Sequence, residues 1–202
     1  MREIVYDNYY WQNDLVRLRA WSADDWNWDY CTNFDSETLR LADCELSLPP
    51  TVVASQKFSE RIKDFSITNN RTYFAIDTLD GTLVGRINIL LGDEQHGTFE
   101  IATKIDKEYR GKGYGTAAMR IMLKYAFMEK RLNKYCASIL EGNLESIAMH
   151  EKLGCEQEGV CKQNIYTNGR YHDEILFGLT KEDYLKRLIL VENNICDEKV
   201  LK

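Results

Sequence analysis

The sequence predicts an α/β protein of the α+β type, with a mixed central sheet of about six to seven strands. Apolar residues alternate in segments 72–78 and 82–91, which flank an Asp-Gly dipeptide suited to a tight hairpin turn. A third alternating segment, 98–105, is followed by an apolar helical pattern and then by the strand-like segment 134–140. The order strand, helix, strand implies one parallel crossover next to an antiparallel meander.

The first third of the chain is expected to be mainly helical after one strand at residues 15–22. Ser22, with Asp25 three residues later, is a helix-start signature. Thr51 follows two prolines and can cap a helix that reaches about residue 65. We therefore expect two helices between the first strand and the meander.

Three further elements are expected in the last part of the chain. Asn143 and Gly154 bound a short helix, the first as its cap and the second as its stop. An Asn-Gly dipeptide at residues 168–169 predicts a final hairpin. From Thr180 onward the pattern is that of an amphipathic helix, whose apolar stripe can dock on its own core or on a second copy in a homodimer.

Composition and charge exclude several classes of protein. The 202 residues are 44% hydrophobic, and no linker or repeat divides them, so we expect a single domain. A net charge of -6 argues against a nucleic-acid partner. No apolar run has the length of a signal peptide core or a membrane span, which predicts a cytoplasmic protein without a membrane partner. The six cysteines form no C-x-x-C pair, so we expect free thiols, mostly buried, and no metal site.

Three alternating glycines lie at the start of an apolar predicted helix, in the segment "RGKGYGTAAM". Helix N-termini present unpaired N–H groups and the positive end of the helix dipole, so such a turn suits a phosphate group. Gly111, Gly113 and Gly115 leave room for close approach, while Arg110 and Lys112 add positive charge. The spacing is neither that of the P-loop nor that of the dinucleotide fingerprint. We expect a phosphate ester as ligand, and the alternative is a tight turn without one.

Two segments resemble the GNAT superfamily of acetyl-CoA-dependent N-acetyltransferases. "RGKGYG" matches its R/Q-x-x-G-x-G/A motif, and "NLESIAMHEKLGC" is similar to its N-x-x-[AS]-x-x-x-[Y]-E-K-L-G-F segment. The resemblance covers roughly residues 15–179 and looks closest to the branch with ribosomal-protein N-terminal acetyltransferases and spermidine acetyltransferases. It implies one acetyltransferase domain over residues 1–202, with a core at about 15–179, a helical extension at 180–202, and helices on both faces of the sheet.

The resemblance also implies a binding mode for acetyl-CoA, with CoA as the product. The diphosphate would lie on the N–H groups of the glycine loop, and the pantetheine arm would pair with free backbone groups of the strand at 98–105. An Asn at the position of Asn143 commonly contacts that arm, although a plain helix cap is an equally good interpretation. The expected cofactor-binding residues are Thr103, Lys104, Ile105, Arg110, Gly111, Lys112, Gly113, Tyr114, Gly115, Thr116 and Asn143.

Glu100 and His150 are the candidate catalytic residues. An alkylammonium acceptor must lose a proton before it attacks a thioester, and Glu100, on the polar face of its strand, is the candidate base. The structural alternative for Glu100 is an ion pair with Lys104. Related enzymes often have a tyrosine general acid at the position of His150, so histidine departs from the family pattern. His150 is either the proton donor or structural, with the thiolate then protonated by water. A backbone N–H near Ile105 is the candidate oxyanion donor.

The acidic segment 22–45 suggests the nature of the acceptor. It contains seven acids and one base, which accounts for the net charge of -6. In the resembled fold the first two helices line the acceptor cleft, so we expect a cationic acceptor, such as a polyamine, an aminoglycoside or a peptide N-terminus. The expected substrate-binding residues are Asp24, Asp25, Trp28 and Asp29. The alternative is a solvated helix face with its tryptophans in the core.

The sequence thus predicts an acetyl-CoA-dependent N-acetyltransferase that moves an acetyl group to a primary amine by direct attack in a ternary complex. A non-catalytic CoA-binding or regulatory module is the alternative, because it would keep the glycine loop without needing a base. A pure interaction protein is a third interpretation, which depends on the amphipathic C-terminal helix.

Overall fold

The computed structural model describes residues 4–93 and 95–200, with side chains up to residue 190. The strands are β1 Val16–Ala20, β2 Arg71–Thr78, β3 Leu83–Leu91, β4 Thr98–Ile105, β5 Lys134–Leu140, β6 Glu156–Thr167 and β7 Arg170–Thr180. The helices are α1 Trp26–Thr32, α2 Ser36–Asp43, α3 Val52–Ile62, α4 Tyr114–Lys124, α5 Leu144–Leu153 and α6 Lys181–Val200. In the described chain the seven strands form one sheet in the order β1-β2-β3-β4-β5-β7-β6. The β4–β5 pair is parallel and the other pairs are antiparallel, which confirms the predicted fold class.

Local capping explains where the first helices begin. The Ser22 side chain accepts a bond from the Asp24 N–H, while the Asp25 carboxylate accepts one from the Ser22 N–H, which completes the predicted capping box. A 3₁₀ turn there leads into α1. Thr51 accepts the Ala54 N–H at 3.1 Å and begins α3, as predicted.

Helices pack on both faces of the sheet because side chains alternate along each strand. In β2, Phe74 and Ile76 belong to the main core, which also contains the buried residues of α4. Tyr73 and Ala75 point the other way and pack with Trp21 and with Ile62 of α3. This alternation confirms the prediction of two helical layers.

The parallel pair is short. Within the described residues, β4 and β5 pair only at Thr98 with Lys134 and at Phe99 with Tyr135. Below that point the aromatic rings of Phe99 and Tyr135 lie 5.6 Å apart, and that of Phe127 lies 5.2 Å from Phe99. Beyond Tyr135 the strands diverge, so a gap opens in the middle of the sheet.

The C-terminal elements also follow the sequence prediction. Asn168 and Gly169 both have positive φ angles, 51° and 78°, in the tight turn between β6 and β7. Tyr184 of α6 packs on Phe127 with ring centroids 5.0 Å apart, whereas Ile189 is exposed. The first turns of α6 therefore dock on the core of this chain, and the homodimer stays a prediction.

Five cysteines are free thiols in the described chain, as predicted, but only Cys155 is buried, so the expectation of mostly buried thiols is wrong. Cys196 lies outside the described side chains. None of the described helices is both long and apolar enough to cross a membrane.

Candidate active site

A groove with a volume of about 850 Å³ opens where β4 and β5 separate. It is bounded by α2, by the N-terminus of α4 and by α5. Most residues predicted from the sequence line it: Glu100, Thr103, Lys104, Ile105, Arg110, Gly111, Gly113, Tyr114, Gly115, Thr116, Asn143 and His150. The predicted residues that do not line it are Asp24, Asp25, Trp28, Asp29 and Lys112.

The N–H groups of residues 111–116 have no hydrogen-bond acceptor among the described residues. Gly111 and Gly113 hold positive φ angles of 73° and 85°, which a side chain would disfavour. The first N–H of α4 with a partner is that of Ala117, which donates to the Gly113 carbonyl at 2.9 Å. A run of N–H donors therefore lies at the positive end of the helix dipole, an arrangement that binds phosphate.

The backbone of β4 is the second feature that suits a cofactor, because N–H and C=O groups of successive strand residues point to opposite neighbours. Tyr135 Oη lies 3.5 Å from the Ile101 carbonyl, and Arg110 Nε donates to the Ile105 carbonyl at 3.1 Å, so both carbonyls face the gap. Thr103 shares that direction, and its Oγ1 is buried without a partner in the described chain. These unpaired groups suit a ligand that carries amide groups into the gap.

Helix α2 connects the two sides of the groove. Arg110, beside the glycines, donates to Thr38 Oγ1 and lies 3.6 Å from Asp35. Asn143 donates through Nδ2 to the Leu41 carbonyl at 3.1 Å and also caps α5. Arg110 and Asn143 are therefore both engaged by the same short helix.

One face of β2, β3 and β4 forms the floor of the other half of the groove. The strand register places its side chains in three rows: Arg71, Leu90 and Glu100; Tyr73, Asn88 and Ala102; Ala75, Arg86 and Lys104. All of them except Ala75 line the groove, and we call these eight residues the acceptor floor. Glu100 is exposed there, while Lys104 Nζ donates to Asn33 Oδ1 at 2.7 Å. The alternative Glu100–Lys104 ion pair is not formed in the described chain.

A sequence model described as "Acetyltransferase (GNAT) domain" matches residues 16–156, a span that includes β1 to β5 and all of the groove helices. The chain belongs to the GNAT acetyltransferase family. The resemblance stated from the two motifs is confirmed, and the protein is an acetyltransferase with acetyl-CoA as its acetyl donor.

Three known proteins illustrate the similarity of this GNAT chain. The SPbeta prophage-derived uncharacterized N-acetyltransferase YokL of Bacillus subtilis (strain 168) is 30% identical over 175 residues, 87% of this chain and 95% of the relative. The putative ribosomal N-acetyltransferase YdaF of the same organism is 37% identical over 105 residues, 52% of this chain and 57% of the relative. A structure of spermidine N-acetyltransferase from Vibrio cholerae in complex with CoA and spermine has a TM-score of 0.73 and 21% identity, and the match covers 86% of this chain and 99% of that one.

Two of the acids predicted to bind the acceptor of this GNAT enzyme lie elsewhere. Asp25 pairs with Arg19 at 2.8 Å, and Arg19 also contacts Asp77 at 2.7 Å. Asp24 borders a separate hollow of about 540 Å³ between the first 3₁₀ turn and α3. Neither carboxylate is directed into the groove between β4 and β5.

The other two predicted acceptor residues lie on the face of the sheet that carries the acceptor floor, against its Arg86 and Lys104 side chains. Asp29 is buried and pairs with Arg86 at 2.9 Å. The Trp28 ring centroid lies 5.9 Å from Lys104 Nζ. Burial lowers the pKa of Lys104 to about 8, and the positive charge of Arg86 acts in the same direction. The backbone of Lys104 pairs with Arg86 in β3 and is turned away from the gap, so its N–H and C=O groups do not face a ligand there.

His150 is buried at the groove with both ring nitrogens engaged. Nδ1 lies 2.7 Å from the Ser146 carbonyl, an acceptor, so Nδ1 carries the proton and Nε2 accepts from the Tyr135 hydroxyl at 2.9 Å. Burial lowers the pKa of His150, although the bond to Ser146 opposes the shift. A neutral ring whose N–H is already bonded is poorly placed to protonate a leaving thiolate.

Arg71, Asn88 and Tyr135 line the groove and were missed by sequence reasoning. Asn88 interrupts the apolar strand "INILL", and such a buried polar residue is a signal that could have found it. Arg71 and Tyr135 lie near the starts of their strands, where the sequence pattern carries no comparable signal.

We expect His150 to make the protein less stable as the pH falls from about 7.5 to about 5.5. An unfolded histidine takes up a proton near pH 6.5, whereas native His150 resists protonation because its pKa is lowered, so acidification favours the unfolded state. Urea unfolding at several pH values measures the effect, and His150→Gln should flatten the dependence. The same slope in both proteins would contradict the neutral buried ring.

Asp24→Asn and Asp29→Asn should have different effects on the stability of the protein. Because Asp24 lies outside the groove, its replacement should leave KM for the amine unchanged and alter stability by less than about 0.5 kcal/mol. Asp29→Asn removes the carboxylate that balances Arg86 and should lower the free energy of unfolding by about 3 kcal/mol or more. Denaturant unfolding measures the stability and steady-state kinetics measure KM. A raised KM for Asp24→Asn would instead support the prediction that the acids of segment 22–45 bind the acceptor.

Proposed function

We propose that this chain transfers the acetyl group of acetyl-CoA directly to a small primary amine while both substrates are bound. The observation that carries the proposal is the continuous groove, with the unpartnered amides of residues 111–116 at one end and the acceptor floor at the other. Cys136 lines the same groove, but burial raises its pKa, which disfavours the thiolate that an acyl-enzyme route would need. Direct attack is the simpler route through this geometry.

The donor half of the groove supplies groups for each part of acetyl-CoA. The amides of residues 111–116 would bind the diphosphate, with Arg110 and Lys112 adding positive charge. Thr103 and Ile105 would bind the pantetheine arm through their backbone, and Thr103 Oγ1 would gain the partner that it lacks in the described chain. Asn143 would act at the rim, where it caps α5 and holds α2.

Glu100 would remove the proton from the acceptor ammonium, because it is exposed on the acceptor floor with no ion pair to another described residue. The amine nitrogen then forms a bond to the acetyl carbon and loses its second proton to water, the carbon–sulfur bond breaks, and that proton passes to the leaving thiolate. The N–H of Ile101, next to Glu100 and on the side of β4 that faces the gap, would stabilise the carbonyl oxygen, since Ile105 lies about 17 Å further along the strand beside the glycine loop. In this proposal His150 positions Tyr135 and α5, and water protonates the thiolate.

The acceptor is proposed to be a small primary amine, a class supported by the spermidine N-acetyltransferase among the similar structures. A purely cationic acceptor has less support, because the acids predicted to bind it lie outside the groove. We also propose a cytoplasmic location, which the free thiols of the described chain support.

Gly115→Ala should separate cofactor binding from folding. A Cβ at residue 115 would lie 3.5 Å from Ile105 Cγ1 and 3.7 Å from Met149 Sδ, which are ordinary contacts, and alanine favours a helix by about 1 kcal/mol over glycine. The same methyl would occupy space over the amides, so we expect CoA to bind about tenfold more weakly, or by about 1.4 kcal/mol.

Calorimetry with CoA and thermal unfolding measure the two effects. Gly159→Ala on β6 is the matched control, since its Cβ would meet only Leu176 at 4.0 Å and it lies away from the groove. Unchanged CoA affinity in Gly115→Ala would place the diphosphate somewhere else.

Glu100→Gln should lower kcat/KM by about a hundredfold or more, because the carboxylate that accepts the proton is lost while the side-chain shape is kept. A thiol-release assay with acetyl-CoA and a panel of amines measures the rate, and CoA affinity should stay the same. Glu145→Gln, at the groove rim on α5, is the matched control. Full activity of Glu100→Gln would mean another base, and a wild type inert with every amine would favour the non-catalytic module.

A further inference from the structure

We propose that the acceptor carries an anionic group, a carboxylate or a phosphate, next to its reacting amine, and that Arg71 binds this group while Asn88 binds the amine. The inference rests on the proposed acetyl transfer and narrows its substrate class. It follows from the arrangement of charges and unpaired groups on the acceptor floor, where Arg71, Leu90 and Glu100 form one row across three strands.

Arg71 is a cation in the groove that no described carboxylate balances. Its side chain makes no hydrogen bond or ion pair with another described residue, whereas the nearby Arg86 pairs with Asp29 and Arg19 pairs with Asp25. A half-buried guanidinium presents a planar fork of donors that matches a carboxylate or a phosphate. Arg71 is therefore the floor residue best suited to hold an anionic group of a ligand.

The distance between Arg71 and Glu100 suits a small bifunctional molecule. Neighbouring strands lie about 4.8 Å apart, so two strand spacings separate the Cα atoms by about 10 Å. Both side chains rise from the same face with Leu90 between them, and they do not pair with each other in the described chain. A ligand above Leu90 can place its amine at Glu100 and its anionic group at Arg71.

Asn88 supplies the missing contact for the amine. It is more than nine-tenths buried, its Nδ2 donates to the Ala102 carbonyl at 3.4 Å, and its Oδ1 has no partner in the described chain. A buried acceptor without a partner costs about 1–3 kcal/mol, which an N–H donor of a ligand would offset. Asn88 is the diagonal neighbour of Glu100, and such pairs lie about 7–8 Å apart, so one amine can contact both.

The charges of this half of the groove disfavour a polyamine. On the acceptor floor Glu100 is the one acid, while Arg71 and Lys104 are cations without a carboxylate partner in the described chain. A polyamine on this floor would meet one acid and two repelling cations. A molecule with one amine and one anionic group meets the opposite charge at each end, so the difference in binding energy selects it over a polyamine.

The test compares amines that differ by one anionic group: lysine with cadaverine, arginine with agmatine, and phosphoethanolamine with ethanolamine. We expect kcat/KM to be about ten- to a hundredfold higher for the anionic member of at least one pair, the range for a charge-assisted hydrogen bond. The first two pairs report a carboxylate site and the third a phosphate site. Spermidine, added to the panel, should be a poor acceptor.

Two variants assign the effect to named residues. Arg71→Gln should remove the preference for the anionic member without changing CoA affinity, while Arg61→Gln, the same charge change on the exposed face of α3, should keep the preference. Asn88→Leu should raise KM for both members of a pair alike, because the amine loses its acceptor. Thermal unfolding checks that each variant is folded.

Several outcomes would overturn the inference. Equal or better turnover of the member without the anionic group in all three pairs would do so, and so would spermidine as the best acceptor of the panel or a preference that survives Arg71→Gln. If no amine is acetylated, the proposed function fails, and calorimetry of CoA-bound protein with lysine and with cadaverine then decides this inference alone. Tighter binding of lysine that is lost in Arg71→Gln supports it, and equal binding of the two amines contradicts it.

Discussion

The separation of β4 from β5 after two paired positions is the constraint on which the rest of the site depends. Parallel strands normally use their backbone groups on each other, but here the gap-facing groups of Ile101, Thr103 and Ile105 lack that partner strand. The rings of Phe99 and Tyr135 pack where the pairing ends, so the gap begins at a defined level of the sheet. The crossover from β4 to β5 then puts the N-terminus of α4 at the mouth of the gap, where its unpartnered amides suit a charged ligand.

A consequence of this geometry is that the donor and acceptor halves share structural supports. Arg110 belongs to the glycine loop yet bonds to Thr38, and Asn143 belongs to α5 yet bonds to Leu41. Both partners lie on α2, a helix of two turns whose C-terminal Asp43 borders the acceptor half. A shift of α2 would therefore displace Arg110 of the glycine loop and Asn143 of α5 together, and with them both sides of the groove.

Features that depend on local backbone chemistry could be predicted from the sequence. The Ser22 and Thr51 caps, the Gly113 conformation and the Asn168 turn each depend on residues within one turn of the chain. The helical spacing also placed His150 at the groove correctly. The bond to its Nε2 could not be predicted, because it comes from Tyr135 on β5. The pairing of Asp29 likewise could not be predicted, because its partner Arg86 is 57 residues away in sequence.

The acceptor half shows why net charge is a poor guide to a binding site. The acids of segment 22–45 dominate the charge of the chain, yet Asp25 forms an ion pair with Arg19 and Asp29 forms one with Arg86. A paired and desolvated carboxylate exerts little field on a ligand, because its partner cancels it at short range. The field in the groove is then set by groups that the fold leaves unbalanced, and Arg71 is prominent among them. A small acceptor therefore interacts with the unpaired charged groups of the groove, and the net charge of the chain matters less.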